Sequence, residues 1–276
     1  MSTDQVLYPI REVSQQTGVN AVTLRAWQRR FGLLNPQRTA KGHRLYSEQD
    51  VARVHEIVSW LEKGVPISQV KPLLGQPVVQ AEPSNWQQQV DELLGESVAL
   101  DATKLHQRLD QLTSLYPFSL IAEKVLLPWL KQCQLVCQQR ADGDLIQAWL
   151  EQQVKLRFYT RWQLANQANQ GEAIWLICVG PRVWWQPLLQ VNEWALAGYK
   201  VTLLMLKELA QLNLALTRMP PANLLFDLPA QVTTQQKQLF MQFSNQSYLV
   251  GEFAALHQMN LGLPVADSRQ HKENWQ

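Results

Sequence analysis

Residues 20–46 read NAVTLRAWQRRFGLLNPQRTAKGHRLY. Leu24, Trp27 and Phe31 recur at i, i+3 and i+7, the spacing of one apolar stripe on a helix. Pro36 then marks a turn, and Gly42-His43-Arg44 lies between two short pieces that read as extended. Immediately upstream, residues 8–19 (YPIREVSQQTGV) supply a first helix whose Ile10 and Val13 can receive that stripe. Gly18 falls at the end of the first helix, where a positive φ costs glycine least. Asn20 is placed to cap the second helix. This order predicts a helix-turn-helix followed by a wing.

Arg25, Arg29 and Arg30 lie largely off the apolar stripe, while Asn20, Val22 and Thr23 cluster at the start of the second helix. Recognition helices present their first residues to base edges in the major groove. Asn20, Val22 and Thr23 are therefore expected to read bases, with Val22 against a thymine methyl. The arginines suit phosphate contacts, which add affinity without sequence information. The wing, Pro36 to Tyr46, adds Arg38, Lys41, His43 and Arg44 around a glycine that lets backbone approach phosphate, and Tyr46 completes the expected contact set. A basic loop alone is often only a solvated loop; beside a helix-turn-helix it reads as part of a nucleic-acid surface. Residues 1–75 hold ten Lys/Arg against six Asp/Glu, and residues 76–276 hold fifteen against seventeen. The positive excess is thus local to the expected DNA-reading segment, as an electrostatic footprint should be. Its modest size implies weak binding by one copy and a homodimer or higher assembly on double-stranded DNA.

The block TLRAWQRRFGLL (Thr23 to Leu34), with PQRT and GHRLYS (within Pro36 to Ser47) and the following helix, resembles the DNA-binding domain of the MerR family. More narrowly it is similar to the branch holding MlrA-type regulators and the light-responsive cobalamin-binding repressors. The resemblance spans about residues 8–75. One departure is Gln28, where that branch carries a glutamate. The resemblance implies a helix pair at Gln49–Glu62 and Ile67–Leu74 closing a winged-helix core, with Val51, Val54, Ile57, Val58 and Leu61 as its stripe. It also implies double-stranded promoter DNA with a distorted spacer that RNA polymerase then engages, an indirect partnership. The MlrA branch implies activation and the cobalamin-dependent branch repression, and activation is the expectation.

The remainder reads as two further parts. Residues 76–84 (QPVVQAEPS) read as a linker between a 1–75 DNA-binding domain and an 85–170 four-helix bundle. The bundle helices are expected near Trp86–Leu94, Asp101–Ser114, Pro117–Gln138 and Asp144–Gln167, with Asp101 as a cap. From Gly171 onward, apolar runs Ala173–Val179, Lys200–Leu206, Asn223–Leu228 and Ser247–Val250 alternate with helices at Trp184–Ala197, Lys207–Thr217 and Thr233–Phe243. Strands alternating with helices predict a parallel sheet, a flavodoxin-like or Rossmann-like α/β domain over 171–276. The fold class is therefore multidomain, α and α/β. With no signal-peptide pattern, no run of 18 apolar residues and three cysteines, a cytoplasmic chain without membrane contact is expected.

A bundle followed by an α/β domain is the order of the cobalamin-binding relatives, but the ligand handles implied by that resemblance are missing. The first strand–helix loop, Gly180 to Gln186, has no histidine, and Leu150-Glu151 stands where a Glu-His pair would fall. Phe226 to Pro229 and Val250 to Glu252 replace the elements that cradle the nucleotide tail. No cofactor is expected. His43, His55, His106, His257 and His271 are elsewhere, and Trp184 and Trp185 could fill the cavity. Cys133 and Cys137, at i and i+4, could support a metal site or be two small buried residues; no metal is assigned. The other tryptophans, Trp129, Trp149 and Trp162 among them, read as core or as the wall of an apolar pocket. No G-x-G-x-x-G loop, nucleophile–base pair or carboxylate dyad is legible, so no enzyme is expected. A ligand-responsive switch, its C-terminal module binding an unidentified small molecule, stays open as the alternative.

Overall fold

The computed structural model describes residues 6–77, 86–180, 183–208, 210–212, 223–242, 247–268 and 270. The chain divides into two compact units, Met1–Gln153 and Val154–Gln276. The expected linker falls almost entirely outside the described residues, as do Pro181 and Arg182, most of the Lys207–Thr217 helix, and His271.

The first unit opens with β1 (Leu7–Pro9), α1 (Ile10–Thr17) and α2 (Ala21–Ala26). Gly18 adopts φ 68° and its N–H donates to the Ser14 carbonyl, closing α1 as a left-handed cap. The second helix is not a single α-helix to its end. Residues Trp27–Phe31 widen into a π turn, closed by Gly32 at φ 59°. The turn breaks the 3.6 period, so Leu24 and Trp27 are fully buried whereas Phe31 is only half-buried. The Arg30 guanidinium lies 5.9 Å from the Phe31 ring centre.

The wing is a true hairpin: β2 (Gln37–Arg38) pairs antiparallel with β3 (Arg44–Ser47), and β1 covers the other edge of β3. Ser47 and Asp50 form a reciprocal capping box that starts α3 (Glu48–Glu62). Of the stripe expected on α3, Val54, Ile57 and Leu61 are fully buried, and Val51 and Val58 partly so. Each full burial stabilises by about 1.5–3 kcal/mol. Then come α4 (Ile67–Val70) and a short 3-10 turn, Lys71–Leu73.

The helical part of this unit comprises α5 (Trp86–Val98), α6 (Ala102–Leu115), α7 (Phe118–Ile121), α8 (Leu127–Gln138) and the start of α9 (Gly143–Ala168). Asp101 caps α6 by accepting from the Lys104 N–H. The helix read as continuous over Pro117–Gln138 is interrupted by a π turn at Ala122–Leu126. Pro128, just inside α8, has no N–H to give, so an uninterrupted α ladder is impossible there. Helix α6 packs on α2. The Trp27 indole N–H donates to the Leu115 carbonyl at 2.7 Å, fully buried, and Tyr116 is hydrogen-bonded to the backbone of Ile67. The end of α6 therefore grips the second and fourth helices of the winged domain. Cys133 and Cys137 are buried on α8, and burial pushes the Cys133 thiol up to about 12, so it stays protonated at neutral pH.

In the second unit, β4 (Ala173–Val179), β5 (Lys200–Leu206), β6 (Asn223–Asp227) and β7 (Ser247–Val250) form a parallel sheet in the order β5-β4-β6-β7. That is the flavodoxin-like succession, extended by a parallel bridge from Leu249 to Val265. Strand β4 is apolar throughout because both faces are covered. Ile174, Leu176 and Cys178 pack with Val191, Trp194 and Ala195 of α10 (Trp185–Leu196), and Trp162 and Ala165 of α9 join that side. Trp175, Ile177 and Val179 face Phe240 of α11 (Thr234–Gln242) and Ala254 and Leu261 of α12 (Ala254–Leu261). Among the described residues no helix is long and apolar enough to cross a membrane.

Candidate nucleic-acid interface

The start of α2 is fixed by Asn20, whose side-chain oxygen accepts from the Val22 N–H at 3.0 Å and the Thr23 N–H at 2.9 Å. The acceptor end of this amide is thus occupied by the cap, in which its NH2 donor takes no part. Val22, an apolar side chain at the tip of the helix, is 61 % exposed. Arg25, Arg29 and Arg30 are all exposed.

Two expected contacts are corrected here. Thr23 and Tyr46 are both 0 % exposed. Thr23 points into the domain because it follows the cap on the same turn that buries Leu24. Tyr46, opposite Tyr8 in the register of β3 with β1, packs inward, and burial raises its phenol above the ordinary 10, opposed by the charges of Arg44 and Arg25. Both side chains build the scaffold beneath the surface rather than the surface itself.

The hairpin turn is closed by the Thr39 N–H on the His43 carbonyl at 2.9 Å, the Gly42 N–H on the Thr39 carbonyl at 2.8 Å, and the His43 N–H on the Thr39 hydroxyl at 3.1 Å. Gly42 sits at φ 81° with open space around it. Arg38, Lys41 and His43 are exposed and Arg44 is half-buried. Arg38 and Arg44 are direct cross-strand partners, so their side chains share one face of the ribbon. Wing and helix are joined by one side-chain bond: Arg44 Nε donates to Gln28 Oε1 at 2.7 Å. Sequence reading missed this role for Gln28; its only signal was the amide standing where the resembling family has a carboxylate.

An N-capped helix tip with an exposed apolar residue, a row of exposed arginines and a basic hairpin tied to that helix together form a surface suited to a groove and its two phosphate rails. A family profile described as MerR HTH family regulatory protein matches residues 8–76. Residues 8–76 are a MerR-type helix-turn-helix domain. The chain is 38 % identical over 140 residues to the HTH-type transcriptional regulator MlrA of Salmonella typhimurium, covering 51 % of this chain and 56 % of that protein. It is equally identical over 133 residues to MlrA of Escherichia coli, covering 48 % and 54 %. It is 30 % identical over 138 residues to the HTH-type transcriptional repressor CarH of Myxococcus xanthus, covering 45 % of each. The chain thus spans about half the length of the curated relatives it matches.

In the α/β unit, the carboxyl ends of β4, β6 and β7 bring together a small polar group. Asp227 is 5 % exposed and accepts from Gln190 Nε2 at 3.1 Å. Gly251, at φ 87°, makes room for it: a Cβ there would stand 2.5 Å from Asp227 Oδ1. His257, 1 % exposed, has Nε2 at 2.7 Å from the Pro229 carbonyl and so donates from that nitrogen. Trp184 and Trp185 meet edge to face at 5.4 Å at the start of α10.

Proposed function

We propose that this chain is a sequence-specific DNA-binding transcription regulator of MerR type, more an activator than a repressor, acting as a dimer or higher assembly on promoter DNA. The observation that carries the reading is the fixed, exposed tip of α2 beside the basic hairpin. Asn20 and Val22 read bases, and Arg25, Arg29, Arg30, Arg38, Lys41, His43 and Arg44 hold phosphates. The resemblance to the MlrA branch, whose matched members are named regulators, favours activation, in which the bound protein distorts the promoter so that polymerase can engage. The more distant CarH and CarA relatives are named repressors. The test is Arg29→Ala, followed by fluorescence anisotropy on duplexes of different sequence. Affinity should fall on every duplex alike, and the slope of log K against log salt should shrink by about one. A change in sequence preference with an unaltered slope would place Arg29 at a base edge and reverse the helix orientation.

The C-terminal unit serves as a protein-contact or assembly module, and the residues present do not fit cobalamin. Its first strand–helix loop offers no histidine, and Leu150, where the upper-face pair of the resembling family would begin, is 3 % exposed in its own helical core. A second reading rests on the polar group around Asp227, which lies where open α/β sheets take ligands. If that group holds a small molecule, metabolite extracts will raise the melting temperature of the full chain. A ligand at 100 times its dissociation constant adds about 2.7 kcal/mol. No shift with any fraction removes this reading.

A further inference from the structure

Three observations around the wing converge. Arg38 and Arg44 are direct partners across the hairpin, two like charges on one face, an arrangement that destabilises a ribbon left to itself. Among the described residues neither is ion-paired with a carboxylate. Arg44 is instead held through its Nε by Gln28. Because Arg can only donate, Gln28 must turn its carbonyl oxygen to Arg44 and its NH2 group away from it. The acceptor is neutral, so it orients the guanidinium without cancelling its charge, and the two Nη groups stay available.

We infer that Gln28, Arg38 and Arg44 form one phosphate clamp that spans the recognition helix and the wing. This rests on the DNA-binding reading above and goes beyond it by assigning a contact to Gln28. Arg38 and Arg44 supply the charge, and Gln28 supplies orientation and its own NH2 donor. The bound phosphate relieves the repulsion between the two arginines. Clamping one phosphate from both elements sets the angle of the wing against the helix. A carboxylate at position 28 would keep the bond to Arg44, neutralise that charge and repel the phosphate.

The experiment measures binding of the full chain and its variants to a mixed-sequence duplex across a salt series, with thermal unfolding of each free protein alongside. Gln28→Glu is expected to melt no lower than wild type, yet to bind at least tenfold more weakly, with a salt slope smaller by about one phosphate. Gln28→Ala, which loosens Arg44 but leaves its charge, should lose about threefold in affinity with the slope unchanged. Arg38→Gln should raise the melting temperature of the free protein and still weaken binding. In the Arg44→Ala background the effect of Gln28→Glu should largely vanish. Wild-type affinity and slope in Gln28→Glu would overturn the clamp, as would a binding loss that merely follows a lowered melting temperature. Failure of wild type itself to bind any duplex would instead overturn the DNA-binding reading, and the clamp with it.

Discussion

Asn20 has two tasks that a single alanine substitution would confuse. Its oxygen caps α2, and the proposed DNA reading gives its NH2 group to a base. Asn20→Ser keeps a cap oxygen, so stability should stay within a few tenths of a kcal/mol. Asn20→Ala should cost about 1 kcal/mol of stability. Both should shift base preference at one half-site position, by about 1–3 kcal/mol. Unfolding curves and binding to a panel of single-base variants separate the two tasks. Equal sequence preference in wild type and Asn20→Ser would confine Asn20 to the cap. A different kind of single-residue prediction concerns Tyr199, whose phenol is pushed up to about 12 by burial, with Glu172 and Tyr248 adding to the rise. Burial favours the neutral form, so its contribution is fully present below pH 10 and is lost as pH climbs from 10 towards about 12. Tyr199→Phe should therefore flatten the alkaline loss of stability in denaturant titrations, and an unchanged alkaline limb would count against that burial.

Among the elements, the joint between α2 and α6 is the most exposed to test. The Trp27 indole reaches the Leu115 carbonyl in a fully buried bond. Trp27→Phe keeps an aromatic ring but strands that carbonyl and opens space, so stability should fall by about 2 kcal/mol. Chemical denaturation checks the size; a loss under about half a kcal/mol would mean that the carbonyl finds another donor. The elements themselves were largely legible. Glycine and asparagine at the ends of the first two helices, the β2–β3 hairpin around Gly42, and the alternation after Gly171 all read directly from local chemistry. The π turns at Trp27–Phe31 and Ala122–Leu126 did not, because a helical period assumes a uniform ladder. Thr23 and Tyr46 were assigned to the surface since polar residues in a basic segment suggest contact; which way a side chain points depends on the partner element, here α1 and β1. The Arg44–Gln28 bond was equally out of reach, as it joins a helix to a hairpin whose relative placement no spacing records.

For the whole molecule, charge and topology separate the work. The winged domain carries the positive excess while the remainder is slightly acidic, so binding should weaken steeply with salt. The matched relatives are covered over about half their length. The flavodoxin-like order of the α/β unit places Asp227, Gln190 and Gly251 at the carboxyl edge, whereas no spacing of histidines or glycines in the sequence announced that group. The most direct test of the central claim is selection of duplexes from a randomised pool by the full chain, followed by sequencing. An enriched inverted repeat, with half-sites spaced for a dimer and binding lost in Arg29→Ala, is the predicted result. Equal weak retention of all duplexes, with no sequence enriched, would contradict it.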